Sequence, residues 1–276
     1  MAFSRDLLRV YVEGTGMMRT IRNGLVMSVL AAGLSAAAQD ASALPPLPTG
    51  DCAAPAAAQV LSHCDFTALN RPGIDLHGAV FDGVVLEKAN LSNCDLRGAY
   101  LRKANLKWAN LSGCDLSGAD LSGADLFHTN FVGSRMERAT LAGAHLFGAY
   151  LDGVRAAGAD FSEAFLKDIS IEDGDLTGSR LDRAYMFRAV LINSKLNGTS
   201  VRQAVLTGAA MEGVDMRDAD VSGSLLNGAV LDGTTWRGAR LTDARFVNAD
   251  LAGADFGGAL DVPEHLAEML AAKASR

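Results

Sequence analysis

The sequence predicts an all-β solenoid, a rod in which short units coil and stack on one another. An apolar residue recurs at every fifth position from Leu76 to Phe256, with Ala156 as the exception. A small or apolar residue, most often Ala, lies two positions before each of these, and Gly most often lies two positions after. Period five is neither the 3.6-residue period of a helix nor plain strand alternation. It indicates a unit with one short strand segment and one tight corner.

Each unit of five residues (a pentad) is expected to direct two side chains inward. The three residues from the small position to the large one alternate in, out and in, as in a strand. The next two residues turn the chain, and Gly suits the backbone angles of such a corner. Because a lone unit buries almost nothing, the units must stack to share one core.

The segment ANLSGCDLSGADLSGADL, residues 109–126, resembles the pentapeptide-repeat family, whose pattern is A(D/N)LxG in tandem. The resemblance implies a right-handed quadrilateral parallel β-helix with four units, hence twenty residues, in each coil. The repeat then makes about nine coils, and a strand spacing of about 4.8 Å gives a rod about 45 Å long.

We expect one elongated domain with short ends in this chain of 276 residues. Residues 1–43 are predicted to be a signal peptide, and residues 44–63 a linker with an N-terminal cap helix. Residues 64–260 form the predicted β-helix, and residues 261–276 the C-terminal cap helix. Caps are needed because the open edge of a terminal coil invites pairing with other chains.

The two cap helices are assigned from local pattern. Residues 53–61 are rich in Ala, and Pro55 is tolerated near a helix start. Residues 263–273 form an amphipathic pattern with Leu266, Met269 and Leu270 on one side. In the family such a terminal segment often forms a dimer, so capping and dimerisation both stay open for the C-terminal helix.

The N-terminus has the features of an export signal. Arg19 and Arg22 precede an apolar run at residues 24–38, and small residues at 36–38 and 41–43 suit cleavage. The run is shorter than the roughly 20 residues of a membrane span. We therefore expect an exported protein, periplasmic or secreted; the alternative is an uncleaved signal that anchors the chain to a membrane.

A start at Met17 or Met18 would make the signal compact, and the first sixteen residues are then a misassigned start.

The cysteines fit an exported rod. Cys52 and Cys64 flank the predicted N-terminal helix, and an oxidising compartment favours a disulfide between them. Cys94 and Cys114 lie one coil apart at inward positions, where parallel side chains suit a disulfide poorly. We expect buried thiols there.

One face of the predicted rod is apolar on its outside. This aromatic face carries the outward residues of the units centred on Leu86, Leu106, Leu126, Leu146, Leu166, Met186, Leu206, Leu226 and Phe246. Its predicted contact residues are Trp108, Phe127, Phe147, Phe165, Tyr185, Phe187, Val205 and Leu225. The next face adds Tyr150, Val190, Ile192 and Val230, whereas the other two faces are mostly polar.

An aligned apolar stripe usually marks a contact surface. The alternatives are a stripe covered by the chain's own ends and side chains that stack only on one another, as cross-strand pairs do. We interpret the protein as a non-enzymatic scaffold whose aromatic face binds a protein partner or a second copy. A membrane surface is a further occupant that the pattern allows but does not require.

The competing interpretation is a DNA-mimicking inhibitor of a topoisomerase-type enzyme, since some pentapeptide-repeat proteins resemble B-DNA in shape and charge. The formal charge of −7 argues against direct binding of nucleic acid. Basic residues stand where a mimic requires acids, at Arg135, Arg155, Arg180, Lys195, Arg240 and Arg245. Mimicry is therefore the second hypothesis.

The sequence indicates neither an enzyme nor a cofactor. No nucleophile is paired with a base in a recognisable pattern, and the glycines recur at corners instead of forming a phosphate loop. Asp125, His128 and His145 lie close enough in the predicted coil to bind zinc. A solvated polar group within the aromatic face is the preferred interpretation of these three residues.

Overall fold

The computed structural model describes residues 20–22, 25–27 and 46–274. The chain divides into two compact units, Met1–Pro46 and Leu47–Arg276, which are described separately.

The first unit contains one small antiparallel pairing. Strand β1 (Thr20–Arg22) pairs with strand β2 (Leu25–Met27), with Ile21 opposite Val26. The rest of the predicted signal peptide, with its start at position 17 or 18 and its cleavage sites, lies outside the described residues. Among the described residues no helix is long and apolar enough to span a membrane.

In the second unit, each pentad contributes one residue to a parallel β-bridge with the residue twenty positions later. The series begins at Val60, which bridges Val80, and runs to Arg240, which bridges Leu260. Four pentads therefore complete one coil. Equivalent positions in successive coils lie directly beside one another, so the chain forms a parallel β-helix whose surface is sorted into columns.

The corner of each pentad is a tight turn. The Ala149 N–H donates to the Leu146 carbonyl at 3.0 Å, and the intervening Gly148 has φ +61°. A turn closed this way needs a positive φ at its third residue, which Gly adopts without strain. This requirement is the physical reason that Gly recurs at the corner position.

The Asp or Asn of the repeat also has a structural role. The Asn110 side-chain oxygen accepts the Ser112 N–H at 3.1 Å, and Asp120 accepts the Ser122 N–H at 3.0 Å. Each such side chain satisfies a backbone donor at the turn that no bridge reaches. Acidic residues at this position therefore have a structural role in the turn, and their presence alone does not indicate a ligand site.

The core is one continuous column of inward side chains. Leu126 and Trp236 are fully buried, and the inward Ala residues lie between the large side chains. At the one unit whose large position is Ala156, the small position is Val154, and both are buried. The exchange keeps the filled volume nearly constant, as a close-packed interior requires.

The predicted N-terminal cap helix is wrong. Residues 53–61 form turns and a bridge instead of a helix, because Val60 pairs with both Thr49 and Val80. Leu61 is fully buried and lies in the same period-five phase as Leu76. Pairing with the next coil therefore outweighs the helix propensity of this Ala-rich segment.

Helix α1 (Glu264–Ala274) follows the last coil. Leu266 is fully buried in the core cluster, and Met269 and Leu270 pack against that cluster. The His265 Nε2 atom accepts the Phe246 N–H at 3.0 Å. This contact satisfies a donor that no following coil can reach.

Candidate functional site

Each pentad presents three positions to solvent: the bridge residue before the large inward residue, the middle residue after it, and the corner residue. On the aromatic face the bridge column includes His145, Phe165, Tyr185, Val205 and Leu225. The middle column includes Phe127, Phe147, Lys167 and Phe187. The corner column includes Trp108 and His128. The structure thus brings all eight predicted contact residues to one side of the coil.

Six of these side chains form a continuous series of ring contacts, which we call the aromatic ladder: Trp108, Phe127, Phe147, Phe165, Tyr185 and Phe187. Ring centroids are 5.2 Å apart for Trp108 and Phe127, and 5.5 Å for Phe127 and Phe147. They are 5.2 Å apart for Phe165 and Tyr185, which are inclined by only 9°. The helical stacking of coils thereby converts a twenty-residue spacing into direct ring contact.

Stacking leaves the ladder partly buried by its own members. Trp108 is 51% exposed and Tyr185 is 37% exposed, whereas Phe127, Phe147 and the other ladder rings are half-buried. Neighbouring rings that stack cover each other's faces and leave their edges to solvent. Ring edges carry partial positive charge. The ladder is therefore a firm apolar strip bordered by weakly electropositive edges.

Two histidines stack on rings of the ladder, whereas from the sequence they are candidate zinc ligands, with a solvated polar group as the preferred interpretation. The His128 imidazole stacks on the Trp108 ring at 4.5 Å with an inclination of 10°. His145 stacks on Phe165 at 5.0 Å. The available signal was their column: His128 lies one coil after Trp108, and His145 lies one coil before Phe165.

Two cations also contact the ladder. The Lys167 Nζ atom lies 5.4 Å from the Phe147 centroid and 5.9 Å from the Phe187 centroid, so it fills the middle column between the two rings. The Arg188 guanidinium lies 5.7 Å from the Phe187 centroid. Such cation–π contacts hold the cationic side chains against the apolar strip.

Two cations of this face donate hydrogen bonds to carboxylates. Lys107 lies 2.9 Å from Asp125, and this bond raises the pKa of the Lys107 amine. Arg188 lies 2.7 Å from Asp168, and that bond raises the pKa of the Arg188 guanidinium. Because the face carries five bases and three acids, it is both apolar and cationic.

Trp108 occupies a corner position with φ +60°, where Gly would be unstrained. A bulky residue in the left-handed region costs about 1 kcal/mol or more. His128 has φ +51°, and its ring covers the next corner, Gly148, where an added Cβ would lie 2.5 Å from the ring. Gly148 thus leaves room for the Trp108–His128 stack.

Val205 and Leu225 extend the strip beyond the rings. Tyr185 bridges Val205, and Val205 bridges Leu225, so all three lie in one column, where Val205 and Leu225 are half-buried. Arg245 follows in the same column and ends the apolar strip. With a strand spacing of about 4.8 Å, the strip from Trp108 to Leu225 is about 30 Å long.

The neighbouring face of the coil, which we call the acidic face, has a different character. Its units are centred on Leu91, Leu111, Phe131, Leu151, Ile171, Leu191, Met211, Leu231 and Leu251. Its outward positions carry the acids Asp152, Glu172, Asp173, Glu212, Asp232 and Asp250, and no Lys or Arg. The two remaining faces mix both charges, with ion pairs such as Arg102–Asp82 and Arg202–Asp182.

Asp125, His128 and His145 are not among the groups whose ligand atoms converge within residues 46–274. His145 Nδ1 lies 3.6 Å from Asp125, but His128 stacks on Trp108. Within residues 46–274, ligand-type side chains converge at two places, at Asp75, His77 and Asp95 and at Cys52, His63 and Cys64. Asp75 and His77 are exposed and lie 2.7 Å apart, whereas Asp95 is half-buried and pairs with Arg97.

Two disulfides are present. Cys52 and Cys64 are joined, with their Cα atoms 5.5 Å apart. Cys94 and Cys114 are also joined, with a Cα separation of 4.5 Å, so the expectation of free thiols is wrong. The reason is the close spacing of successive coils, which brings stacked Cα atoms within the range that a disulfide spans.

The fold and the repeat together define a class, the parallel β-helix built from tandem pentads. The sequence model of the family described as Pentapeptide repeats matches residues 60–98, 80–118, 104–143, 119–155, 139–178, 184–223 and 224–260. The chain therefore belongs to the pentapeptide-repeat family, whose members form right-handed β-helices.

Solved structures of the family resemble the chain. HetL, a pentapeptide repeat protein involved in heterocyst differentiation regulation from Nostoc sp. strain PCC 7120, is 28% identical over 73% of this chain and 89% of its own, with a TM-score of 0.46. Full-length QnrB1, a plasmid-mediated fluoroquinolone resistance protein, is 18% identical over 77% of this chain and all of its own, with a TM-score of 0.33. No curated protein matches the chain.

Proposed function

We propose that the protein is an exported, non-enzymatic scaffold that binds a protein partner through its aromatic face. The observation that carries this proposal is the aromatic ladder, continued by Val205 and Leu225 in one apolar strip. The rod that presents it has about nine coils and is closed at its C-terminal end by α1.

Stability alone is a poor reason for this strip. A ring pair contributes about 0.5–1.5 kcal/mol beyond its buried area. On the two mixed-charge faces, outward positions of the same β-helix are filled by short polar residues such as Ser122, Ser162 and Ser222, so the fold does not require rings there. Trp108 is half exposed and lies at a strained corner, which costs stability at that position. A binding surface accounts for both features.

Export is supported by the N-terminal sequence and by the cysteines. Arg19 and Arg22 precede an apolar run and small-residue cleavage sites. The Cys52–Cys64 disulfide suits an oxidising compartment, where such bonds persist.

Affinity capture from the exported (periplasmic) fraction tests the function. The double variant Phe147→Ala and Phe187→Ala removes two ladder rings and should lose the captured partner. The control, Tyr100→Ala, removes a ring that is 44% exposed on a different face and should retain it. Equal capture by the double variant and the wild type would reject the aromatic face as the binding surface.

DNA mimicry remains the second candidate, and the acidic face favours it because six acids stand there without a base. The bridge columns of the mixed-charge faces argue against it, since Asp115 is followed by Arg135 and Arg155. Cell fractionation separates the two functions. An exported pool supports the scaffold, whereas a cytoplasmic pool supports mimicry.

A further inference from the structure

Charge is segregated between the aromatic and acidic faces. The aromatic face has five bases (Lys88, Lys107, Lys167, Arg188 and Arg245) against three acids (Glu87, Asp125 and Asp168). The acidic face has six acids and no base, although it borders the aromatic face along the whole repeat. Such segregation gives one side of the rod a positive face and the adjoining side a negative one.

The acids of the two faces differ in their ion pairs. Each of the three acids on the aromatic face forms an ion pair there, for example Asp168 with Arg188 at 2.7 Å. Within residues 46–274, no Lys, Arg or His lies within ion-pair distance of any of the six acids on the acidic face. The Glu212 Oε2 atom is buried and has no hydrogen-bond partner in that part of the chain.

The acidic face also exposes apolar side chains between its carboxylates. Tyr150 is 48% exposed and Val132 is 41% exposed. Val190 and Val230 lie in the same bridge column as Tyr150, and Ile192 lies in the middle column between Glu172 and Glu212. This face therefore combines apolar patches with negative charge, whereas the aromatic face combines them with positive charge.

From this complementarity we propose that the occupant of the aromatic face is the acidic face of a second copy of this chain. The proposal rests on the function proposed above and names its partner. Cations seated on the ladder, such as Lys167, would meet unpaired carboxylates such as Glu172, and the apolar residues of both faces would cover each other. The two residues belong to consecutive pentads of the same coil, so parallel copies at the same height bring them together.

The contact is heterologous, because two different faces meet. After a single contact, one copy still has a free acidic face and the other still has a free aromatic face. Repetition therefore produces an open row or a closed ring instead of a two-fold dimer. An anionic membrane is a poorer occupant, since the acidic face and the net charge of −7 would both be repelled by it.

Mixing two variants tests this arrangement. The aromatic-face variant carries Phe147→Ala and Phe187→Ala, and the acidic-face variant carries Glu172→Lys and Asp232→Lys, at two exposed acids. Each variant should be monomeric alone, with association weakened by at least about tenfold. An equimolar mixture should form a one-to-one dimer and nothing larger, because each variant retains one working face. Sedimentation velocity measures all three samples, and circular dichroism checks that each variant is folded.

Wild-type protein should associate at about 50 mM salt and less at about 500 mM, where charges are screened. A monomeric wild type, an acidic-face variant that still associates, or a mixture that stays monomeric would each overturn the proposal. If the alanine variant does not fold, the variant Lys167→Glu with Arg188→Glu takes its place in the experiment. It should lose association in the same way. If wild type is monomeric but capture of another protein still requires Phe147 and Phe187, the scaffold function stands and the second copy is not its partner.

Discussion

The indole of Trp108 lies flat on the imidazole of His128, with ring centroids 4.5 Å apart, and both residues have a positive φ. Elsewhere in the described residues, 22 Gly and 17 other residues have this backbone geometry, and none of those 17 side chains contains a ring. Two large rings here mean that ring contact outweighs backbone strain, or that the surface they form is required for binding. The two explanations predict different effects of removing the indole.

Replacing Trp108 by Gly should change the stability of the fold by less than about 1 kcal/mol. The lost stacking of about 0.5–1.5 kcal/mol is offset by the release of left-handed strain of similar size. Urea unfolding followed by circular dichroism measures the change. The comparison variant Trp236→Ala removes a fully buried ring and should cost about 3–5 kcal/mol. A loss above about 2 kcal/mol for Trp108→Gly would show that this indole is structural.

Two buried serines offer a matched pair for hydrogen bonding in the core. Within residues 46–274 the Ser134 hydroxyl has no hydrogen-bond partner, whereas the Ser194 hydroxyl accepts the Gly174 N–H at 2.9 Å and donates to the Ile171 carbonyl. Ser134→Ala should stabilise the protein by about 1 kcal/mol, because an unpaired buried hydroxyl costs about 1–3 kcal/mol. Ser194→Ala should destabilise it by a similar amount. Thermal unfolding checks both, and a lower midpoint for Ser134→Ala would contradict the assignment.

The coil was predictable from sequence because its inward positions repeat without interruption. The N-terminal end was not predictable, because Arg71 interrupts the period-five pattern of apolar residues. Leu61 lies beyond this interruption, although it has the same phase as Leu76 and is fully buried. Local Ala content then favoured a helix that pairing with the next coil prevents.

The aromatic face could be located from columns alone, but its cations and histidines could not be assigned from residue type. Lys167 was not among the predicted contact residues, yet it contacts Phe147 and Phe187. Its side-chain stem and charge both suit a site between two rings. A prediction that included every residue one coil away from an aromatic residue in the same column would have assigned Lys167 to the contact surface.

Ion pairs on the mixed-charge faces should make stability fall in acid. The pKa of Asp215 is lowered chiefly because Arg217 donates a hydrogen bond to it at 2.9 Å, and the pKa of Asp95 is lowered in the same way by Arg97. A carboxyl with a lowered folded pKa stabilises the fold above its unfolded value of about 3.9. That contribution is lost as the pH falls through the folded pKa.

Asp215→Asn should therefore reduce the loss of stability between about pH 5 and pH 2. Urea midpoints measured across this range give the slope. The control, Asp232→Asn, removes an exposed carboxylate that has no ion pair within residues 46–274, and it should retain the wild-type slope. An unchanged slope in Asp215→Asn would show that the pair with Arg217 contributes nothing.

The Cys52–Cys64 disulfide should stabilise only the N-terminal end of the rod. It closes a short loop onto the first coil, where Gly50 donates to the Val60 carbonyl at 2.9 Å. Cys52→Ser combined with Cys64→Ala should lower local stability by about 2–4 kcal/mol. Because solenoid units contact only their neighbours, hydrogen exchange should increase near residues 50–61 and stay unchanged beyond residue 100. Faster exchange along the entire rod would contradict a local role.

Adjacent residues provide the sharpest separation of fold from function. Leu126 is fully buried and points inward, whereas Phe127, the next residue, is half-buried in the ladder and points outward. Leu126→Asp places an unpaired carboxylate in the core and should cost several kcal/mol, about 3 or more. Phe127→Asp should cost only about 1–3 kcal/mol, for the two ring pairs with Trp108 and Phe147, while abolishing partner capture, because the charge remains in water but interrupts the strip between those rings. If both variants unfold alike, the ladder is part of the core; if Phe127→Asp is folded and still captures its partner, the strip is not the binding surface.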